Sequence, residues 1–362
     1  MTIDDRPRPL SERVSAPAEL PPLPTGTQDF PVRWRPLRRK DIRALHALHV
    51  AAGEIDHPLD RISERALAES LHDPLFKPGT DGIIGLAPDG SAVAAATASL
   101  SATPSGDAAP GTDPHIEVAL DGAVRPDYRG RGIGQALLAW QAARGLQLLA
   151  SSQSLLPGLL TVGTREACVP TTSLFVAGGF APVRWWRSLR RGLTEPVRRR
   201  ELPSGMRIVP FRRRYSEATR LALNDAFRDH WGFAPISRSE WRRRGRAGEF
   251  APGLSRLLIS GRGTRRDPYV VEAFVLTEIN RQEWRLKGCR FGYVEAVGVP
   301  RARRGQGLST IVIAEALRAC RDRGLREAMV DVDSANPSGA LGMYERLGFA
   351  ERDRAVTYAK RF

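Results

Sequence analysis

The feature that most constrains this 362-residue chain is an internal repeat. Pro36-Leu37-Arg38 matches Pro210-Phe211-Arg212, and Asp56-His57 matches Asp229-His230. Arg129-Gly130-Arg131-Gly132 matches Arg304-Gly305-Gln306-Gly307, and Gly179-Phe180 matches Gly348-Phe349. The offsets are 174, 173, 175 and 169 residues in that order. Each pair alone is weak. Four pairs in one order at nearly one offset imply a duplicated domain, and the length suits two domains of roughly 150 residues.

Hydropathy patterning gives each copy the same plan. A short strand and an amphipathic helix come first, at 38–49 and 214–229. Two strands follow, at 83–86 and 92–99 in the first copy and at 255–260 and 269–277 in the second. A longer strand, 116–124 or 291–299, runs into a glycine-rich turn, and a helix starts at once, at 133–146 or 308–323. A further strand, a second helix ending before Gly179 or Gly348, and a final strand close each half. The expected fold class is α/β: two tandem domains, each a mixed central sheet flanked by helices. Residues 1–30 are rich in Pro without a helix or strand period and read as a disordered tail. The domains are expected at 31–191 and 206–362, joined by a charged linker at 192–205.

The two glycine turns carry the chemistry. The second reads Val297-Gly298-Val299-Pro300-Arg301-Ala302-Arg303-Arg304-Gly305-Gln306-Gly307-Leu308-Ser309. An apolar strand stops, glycines clear side chains from the turn, and the unpaired N–H groups of a helix start converge where an anion fits. The first copy places Gly130, Gly132 and Gly134 at the matching positions, with Arg129 before and Ile133 between them. A P-loop needs Gly-Lys-Ser/Thr, which neither turn has. A dinucleotide fingerprint needs a third Gly where Gln135 and Thr310 stand.

These turns resemble the Arg/Gln-x-x-Gly-x-Gly/Ala pyrophosphate motif of the GNAT superfamily of N-acetyltransferases. Arg129-x-x-Gly132-x-Gly134 fits fully; Arg304-x-x-Gly307-x-Ser309 departs only by Ser at the last place. The resemblance spans nearly all of 33–362 and implies acetyl-CoA as cosubstrate. It implies that the backbone of Arg304, Gly305, Gln306, Gly307, Leu308 and Ser309 holds the pyrophosphate, and that Val297, Gly298 and Val299 run along the pantetheine arm. Arg301 or Arg303 would meet the 3′-phosphate. In the first copy Val124, Arg129, Gly130, Arg131, Gly132, Ile133 and Gly134 would act similarly.

The resemblance extends to a second motif in the second copy only. There Asn336 would bond the pantetheine arm and Tyr344, just before Gly348-Phe349, would protonate the leaving thiolate. The first copy has Ala167 and Phe175 at those places, so both polar groups are missing. The period of two along 291–299 puts Tyr293, Glu295, Val297 and Val299 on one face. Glu295 is the candidate general base, directly or through water. In this superfamily the segment holding Asp229, Trp231 and Phe233 lines the acceptor pocket. The second half is therefore expected to catalyse N-acetylation of a small-molecule primary amine by direct attack in a ternary complex, and the first to bind CoA or scaffold.

Charge, cysteines and hydropathy bound the rival readings. The net charge is +15, and all of the excess falls in 196–362. That excess invites a phosphate-bearing partner. Its runs at 198–200, 212–214 and 242–244 lack interleaved aromatics, which speaks against nucleic acid. A non-catalytic acyl-CoA sensor is the alternative class. Cys168, Cys289 and Cys320 are not at metal spacing, so no metal is expected. Cys320 falls with Ile313 and Leu317 on one helix face and reads as core rather than nucleophile. No membrane span or secretory signal is evident, and the cytoplasm is the expected location.

Overall fold

The computed structural model describes residues 8–58, 62–101, 114–198, 200–228, 233, 235–245, 249–334 and 339–362. The described residues divide into two compact units, one from 8–101, 114–185 and 354–362, the other from 186–353. Each is α/β with a mixed sheet flanked by helices.

In the first unit, strands β1 (Arg33–Pro36), β2 (Gly82–Leu86), β3 (Ala92–Leu100) and β4 (Ile116–Val124) pair antiparallel in sequence order. β5 (Gly158–Arg165) then joins β4 in parallel. Helices are α1 (Leu10–Arg13), α2 (Ile42–Asp56), α3 (Glu64–Leu71), α4 (Pro78–Asp81), α5 (Ile133–Ala150) and α6 (Val169–Ala177). β3 explains how both sheet faces are covered. Ala95 packs with Leu45 and Leu48 of α2, whereas Ala94 and Ala96 pack with Ile133 and Leu137 of α5. A strand covered on both sides reads as a continuous apolar run, as this one does.

The second unit repeats the plan. β7 (Arg207–Pro210), β8 (Arg256–Ser260), β9 (Val270–Glu278) and β10 (Phe291–Gly298) pair antiparallel, and β11 (Glu327–Asp333) joins β10 in parallel. Its helices are α7 (Ser216–Ala226), α8 (Arg238–Arg244), α9 (Arg281–Lys287), α10 (Leu308–Asp322) and α11 (Ala340–Arg346). Ala273 and Val275 of β9 face the α10 core, while Phe274 and Leu276 face α7.

The closing strands correct the expected plan, because they are exchanged between the halves of the sequence. β6 (Ala181–Gly192) follows α6 in sequence, yet from Trp186 onward it pairs antiparallel with β11. The last strand, β12 (Ala350–Arg361), pairs antiparallel with β5 of the first unit. The apolar partners fix this choice. Leu189 is buried with Val330 and Leu347, whereas Val356 and Tyr358 are buried with Leu160 and Phe175.

Two further expectations need correction. From residue 8 the N-terminal segment is not a disordered tail. Leu10 and Val14 are buried in the first unit's core, Leu10 N–H donates to Ser154 O at 2.8 Å, and Trp34 Nε1 donates to Pro24 O at 2.7 Å. An extended, Pro-rich segment has no repeating pattern to reveal it, but its scattered Leu residues find apolar surface. Nor is 192–205 only a linker: Leu193 and Val197 are buried in the second core, and Leu193 N–H donates to Arg326 O at 2.8 Å.

The exchange predicts that a chain ending at residue 199 lacks the strand covering Phe175 and Phe180. Such a fragment should show no cooperative thermal unfolding by circular dichroism, whereas independent folding would contradict the exchange. In the full chain Tyr358→Ala should destabilise by about 3 kcal/mol, read from denaturant unfolding.

Candidate functional site

The site in the second unit begins where two parallel strands part. β10 and β11 are paired from Phe291↔Glu327 to Tyr293↔Met329, and no pair follows. Residues 294–298 of β10 remain paired on their other edge with β9, through a register shift between Val294 and Ala296. Glu295 is therefore the extra residue of a β-bulge at the mouth of the split, a place where bulges re-aim side chains. Its carboxylate keeps solvent access but sits among enough protein to be raised above the ordinary value. Burial is the main cause, with Arg244 opposing and Asp331 reinforcing. A carboxylate raised this way takes a proton more readily near neutrality, as a general base must.

Beyond the strand, Arg301–Arg303 form one 3₁₀ turn, and Gly305 and Gly307 follow at φ 78° and 69°. L-residues avoid such values, and a Cβ at either glycine would meet nothing within 4 Å. Gly307 caps α10 with no side-chain hydrogen bond, so the helix's first N–H groups face this open space. The arrangement suits a phosphate-bearing ligand. Leu308 is buried and anchors the first helical turn, contributing only backbone to such a cradle; Gln306 is exposed and Ser309 half-buried.

The turn is fastened on several sides. Arg303 donates twice to Glu272, at 2.7 and 3.1 Å, and Glu272 is buried on β9. Ser260 also donates to Glu272, at 2.6 Å. Arg301 N–H donates to Asp225 at 2.8 Å, and the Arg304 guanidinium to Ala226 O at 2.9 Å. Arg303 is thus committed to Glu272, which weakens its candidacy for the 3′-phosphate. Gly298 serves packing: a Cβ there would lie 2.3 Å from the Phe274 ring. Val297 and Val299 are half-buried on the strand and its exit.

Tyr344 lies on α11, buried, with its ring 5.3 Å from Phe349 in an edge-on contact. Burial raises its phenol further, keeping it protonated and able to donate. Phe233 packs on Phe227 at 5.7 Å between ring centroids. Asp229, Trp231 and Asn336 lie outside the described residues. Cys320 is buried in the α10 core, its thiol pushed up to about 12 by burial, which suits packing rather than nucleophilic attack.

The first unit keeps the same frame with different chemistry. β4 and β5 pair from Ile116↔Gly158 to Ala119↔Thr161 and then part. Gly130 and Gly132 have φ 73° and 74° with open space around them, and Gly132 caps α5. Ile133 is buried like Leu308, and Gly134 faces Leu174. The Arg129 guanidinium is bidentate to Asp56 at 2.7 Å and also donates to Val124 O at 3.0 Å. Arg131 stacks on Phe30, 3.6 Å from the ring centre. The β3–β4 register has no shift. Without that extra residue the first unit has no counterpart of Glu295: buried Leu120 pairs with Ala98 as buried Val294 pairs with Thr277. Phe180 N–H donates to Phe175 O at 3.0 Å, as Phe349 N–H does to Tyr344 O. The pairing of Phe175 with Tyr344 therefore holds in three dimensions.

Residues that sequence reasoning passed over also gather at the split. Asp331 on β11 accepts from Tyr293 at 3.1 Å and from Ser188 of β6 at 2.5 Å. The period of two marked Tyr293, but nothing in the sequence linked Ser188 to it. Among the described residues no group of three His, Cys, Asp or Glu could hold a metal, and no helix is long and apolar enough to cross a membrane.

Comparison with known proteins bears on the family and the fold. Residues 223–349 match the model of the Acetyltransferase (GNAT) family. The chain is 33% identical over 244 residues to the mycothiol acetyltransferase of Thermobispora bispora, covering 66% of this chain and 74% of that protein. It is 31% identical over 251 residues to that of Salinispora arenicola, covering 69% and 75%. A GCN5-related N-acetyltransferase from Sphaerobacter thermophilus shares the fold at TM-score 0.68 and 22% identity, covering 91% of this chain and 95% of that one. A tandem GNAT protein from the clavulanic acid biosynthesis pathway does so at TM-score 0.63 and 17% identity, covering 91% and 98%. The chain belongs to the GNAT family in its tandem form and is an acetyltransferase.

Gly307→Asp puts bulk and negative charge into the second turn. Calorimetric titration with CoA should lose the second unit's site while the melting temperature changes little. Retained binding with unchanged stoichiometry would contradict the cradle.

Proposed function

We propose that the second unit transfers an acetyl group from acetyl-CoA to the primary amine of a small molecule by direct attack. The observation that carries this reading is Glu295 at the mouth of the strand split, in line with the open glycine turn through the edge of β10. Acetyl-CoA would supply the thioester. The backbone from Arg304 to Ser309 would hold its pyrophosphate, and the free edge of β10 at Val297, with Val299 at the strand's exit, its arm. Asn336 is proposed for the same arm.

The chain's own residues then divide the proton work. Glu295 takes the proton that the ammonium must lose to attack as a neutral amine, aided by burial that raises its affinity for protons. The strand N–H near Val297 is available to the developing oxyanion. Tyr344, protonated throughout the neutral range, donates to the departing thiolate. No covalent enzyme intermediate is needed. We assign the first unit a non-catalytic role, because it has no counterpart of the bulge residue Glu295 and Phe175 offers no acid.

The relatives' name points to a mycothiol-type acceptor, and that is the acceptor class we propose. Asp229, Trp231 and Phe233 are the proposed lining of its pocket. Glu295 and Tyr344 fit such a primary amine without specifying the rest of it.

Tyr344→Phe keeps the ring and removes the hydroxyl. It should lower kcat about a hundredfold while leaving the KM for acetyl-CoA unchanged. An equal loss in both would make Tyr344 structural. The acid limb of kcat/KM should lie above the ordinary glutamate range, with activity falling as pH drops through it. Glu295→Gln should abolish that limb, and full activity in that variant would remove Glu295 from the mechanism.

A further inference from the structure

The parallel register of β10 and β11 sets Tyr293 opposite Met329 in the last pair before the split. Glu295 and Asp331 each lie two residues past that pair on the diverging strands, close enough for Asp331 to raise the affinity of Glu295 for a proton. The Tyr293 hydroxyl bonds Asp331, so Asp331 and the Tyr293 side chain share one face. Ser188 grips the other Asp331 oxygen at 2.5 Å. Each oxygen keeps a further lone pair, and the residue is exposed. A carboxylate held by two hydroxyl donors is kept in place.

We propose that Asp331 is a positioning residue of the acetyltransferase site, clamped by Ser188 and Tyr293 so that its fixed negative charge faces Glu295 across the split and draws the acceptor in as an ammonium ion. This rests on the assignment of Glu295 as base. Two carboxylates at one mouth attract a cation, and the base beside a fixed anion gives up its proton less readily. The ammonium's proton passes to Glu295, and Asp331 takes no part in the transfer. The charged groups acting on Glu295 among the described residues are Arg244 from α8 and Asp331 from β11, and Glu278 of β9 bears on the neighbouring Tyr293. Arg244 is partly engaged by Glu240, at 3.1 Å. Ser188 reaches the site only because β6 is exchanged into this sheet. The unit that performs the chemistry thus depends on a residue from the other half of the sequence.

The test uses the full chain carrying glutamate labelled with ¹³C at Cδ, the Glu295 signal being the one lost in Glu295→Gln. In Asp331→Asn, which preserves the shape, the Glu295 titration midpoint should fall by about one pH unit. In Ser188→Ala/Tyr293→Phe, where Asp331 is released, it should fall by less. An unchanged midpoint in Asp331→Asn overturns the proposal. Acetyl transfer from radiolabelled acetyl-CoA to mycothiol stripped of its acetyl group gives the second readout. Asp331→Asn should raise the KM for that amine about tenfold and leave the KM for acetyl-CoA alone; equal rises in both KM values count against it. If the wild type acetylates no amine, the functional reading fails while the titration still decides whether Asp331 faces Glu295.

Discussion

The parting of two parallel strands organises everything else in the second unit. While β10 and β11 are paired, their backbone groups satisfy each other. Past Tyr293 and Met329 they do not, and a polar strand edge opens inside a folded sheet. That edge invites an extended ligand with amide groups of its own, much as a sheet edge invites a peptide. The bulge at Glu295 turns a carboxylate toward the opening. The glycine turn beyond the strand presents N–H groups to whatever continues past it. Carboxylate, strand edge and glycine turn therefore lie in order along one short stretch of chain.

The same opening exists in the first unit, which shows how duplication separates architecture from chemistry. Its strands part after Ala119 and Thr161, and its glycines adopt the same left-handed geometry. Yet the bulge is missing, and with it any counterpart of Glu295, and Phe175 stands where the second unit has Tyr344. Arg129 is bound to Asp56 and Arg131 is stacked on Phe30, so the side chains that remain serve the frame. Burying Phe there costs the fold nothing, whereas a raised carboxylate must be held against its desolvation.

Much of this was legible in the chain before its structure. The glycine turns declare themselves because backbone at φ near 70° admits little else, and the doubly covered strands because both faces are apolar. Tyr344 and Phe175 could be paired because a fixed Gly-Phe ending follows each. The exchange of β6 and β12 was hidden. Each alternates in a way that would fit either sheet, and only long-range packing of Leu189 or Tyr358 decides between them. The N-terminal segment was hidden because an extended Pro-rich run has no period. Asp331 and Ser188 were missed for a related reason, since their contact joins residues 143 positions apart across the exchanged strand.

The most direct measurement is a crystal structure of the full chain with a non-hydrolysable acetyl-CoA analogue. The account predicts its pyrophosphate on the amides around Gly305 and Gly307, and its acetyl carbonyl in the split between β10 and β11, facing Glu295 and near Tyr344. An analogue held only by the first turn, with its acetyl group beside Leu120 and Phe175, would contradict it.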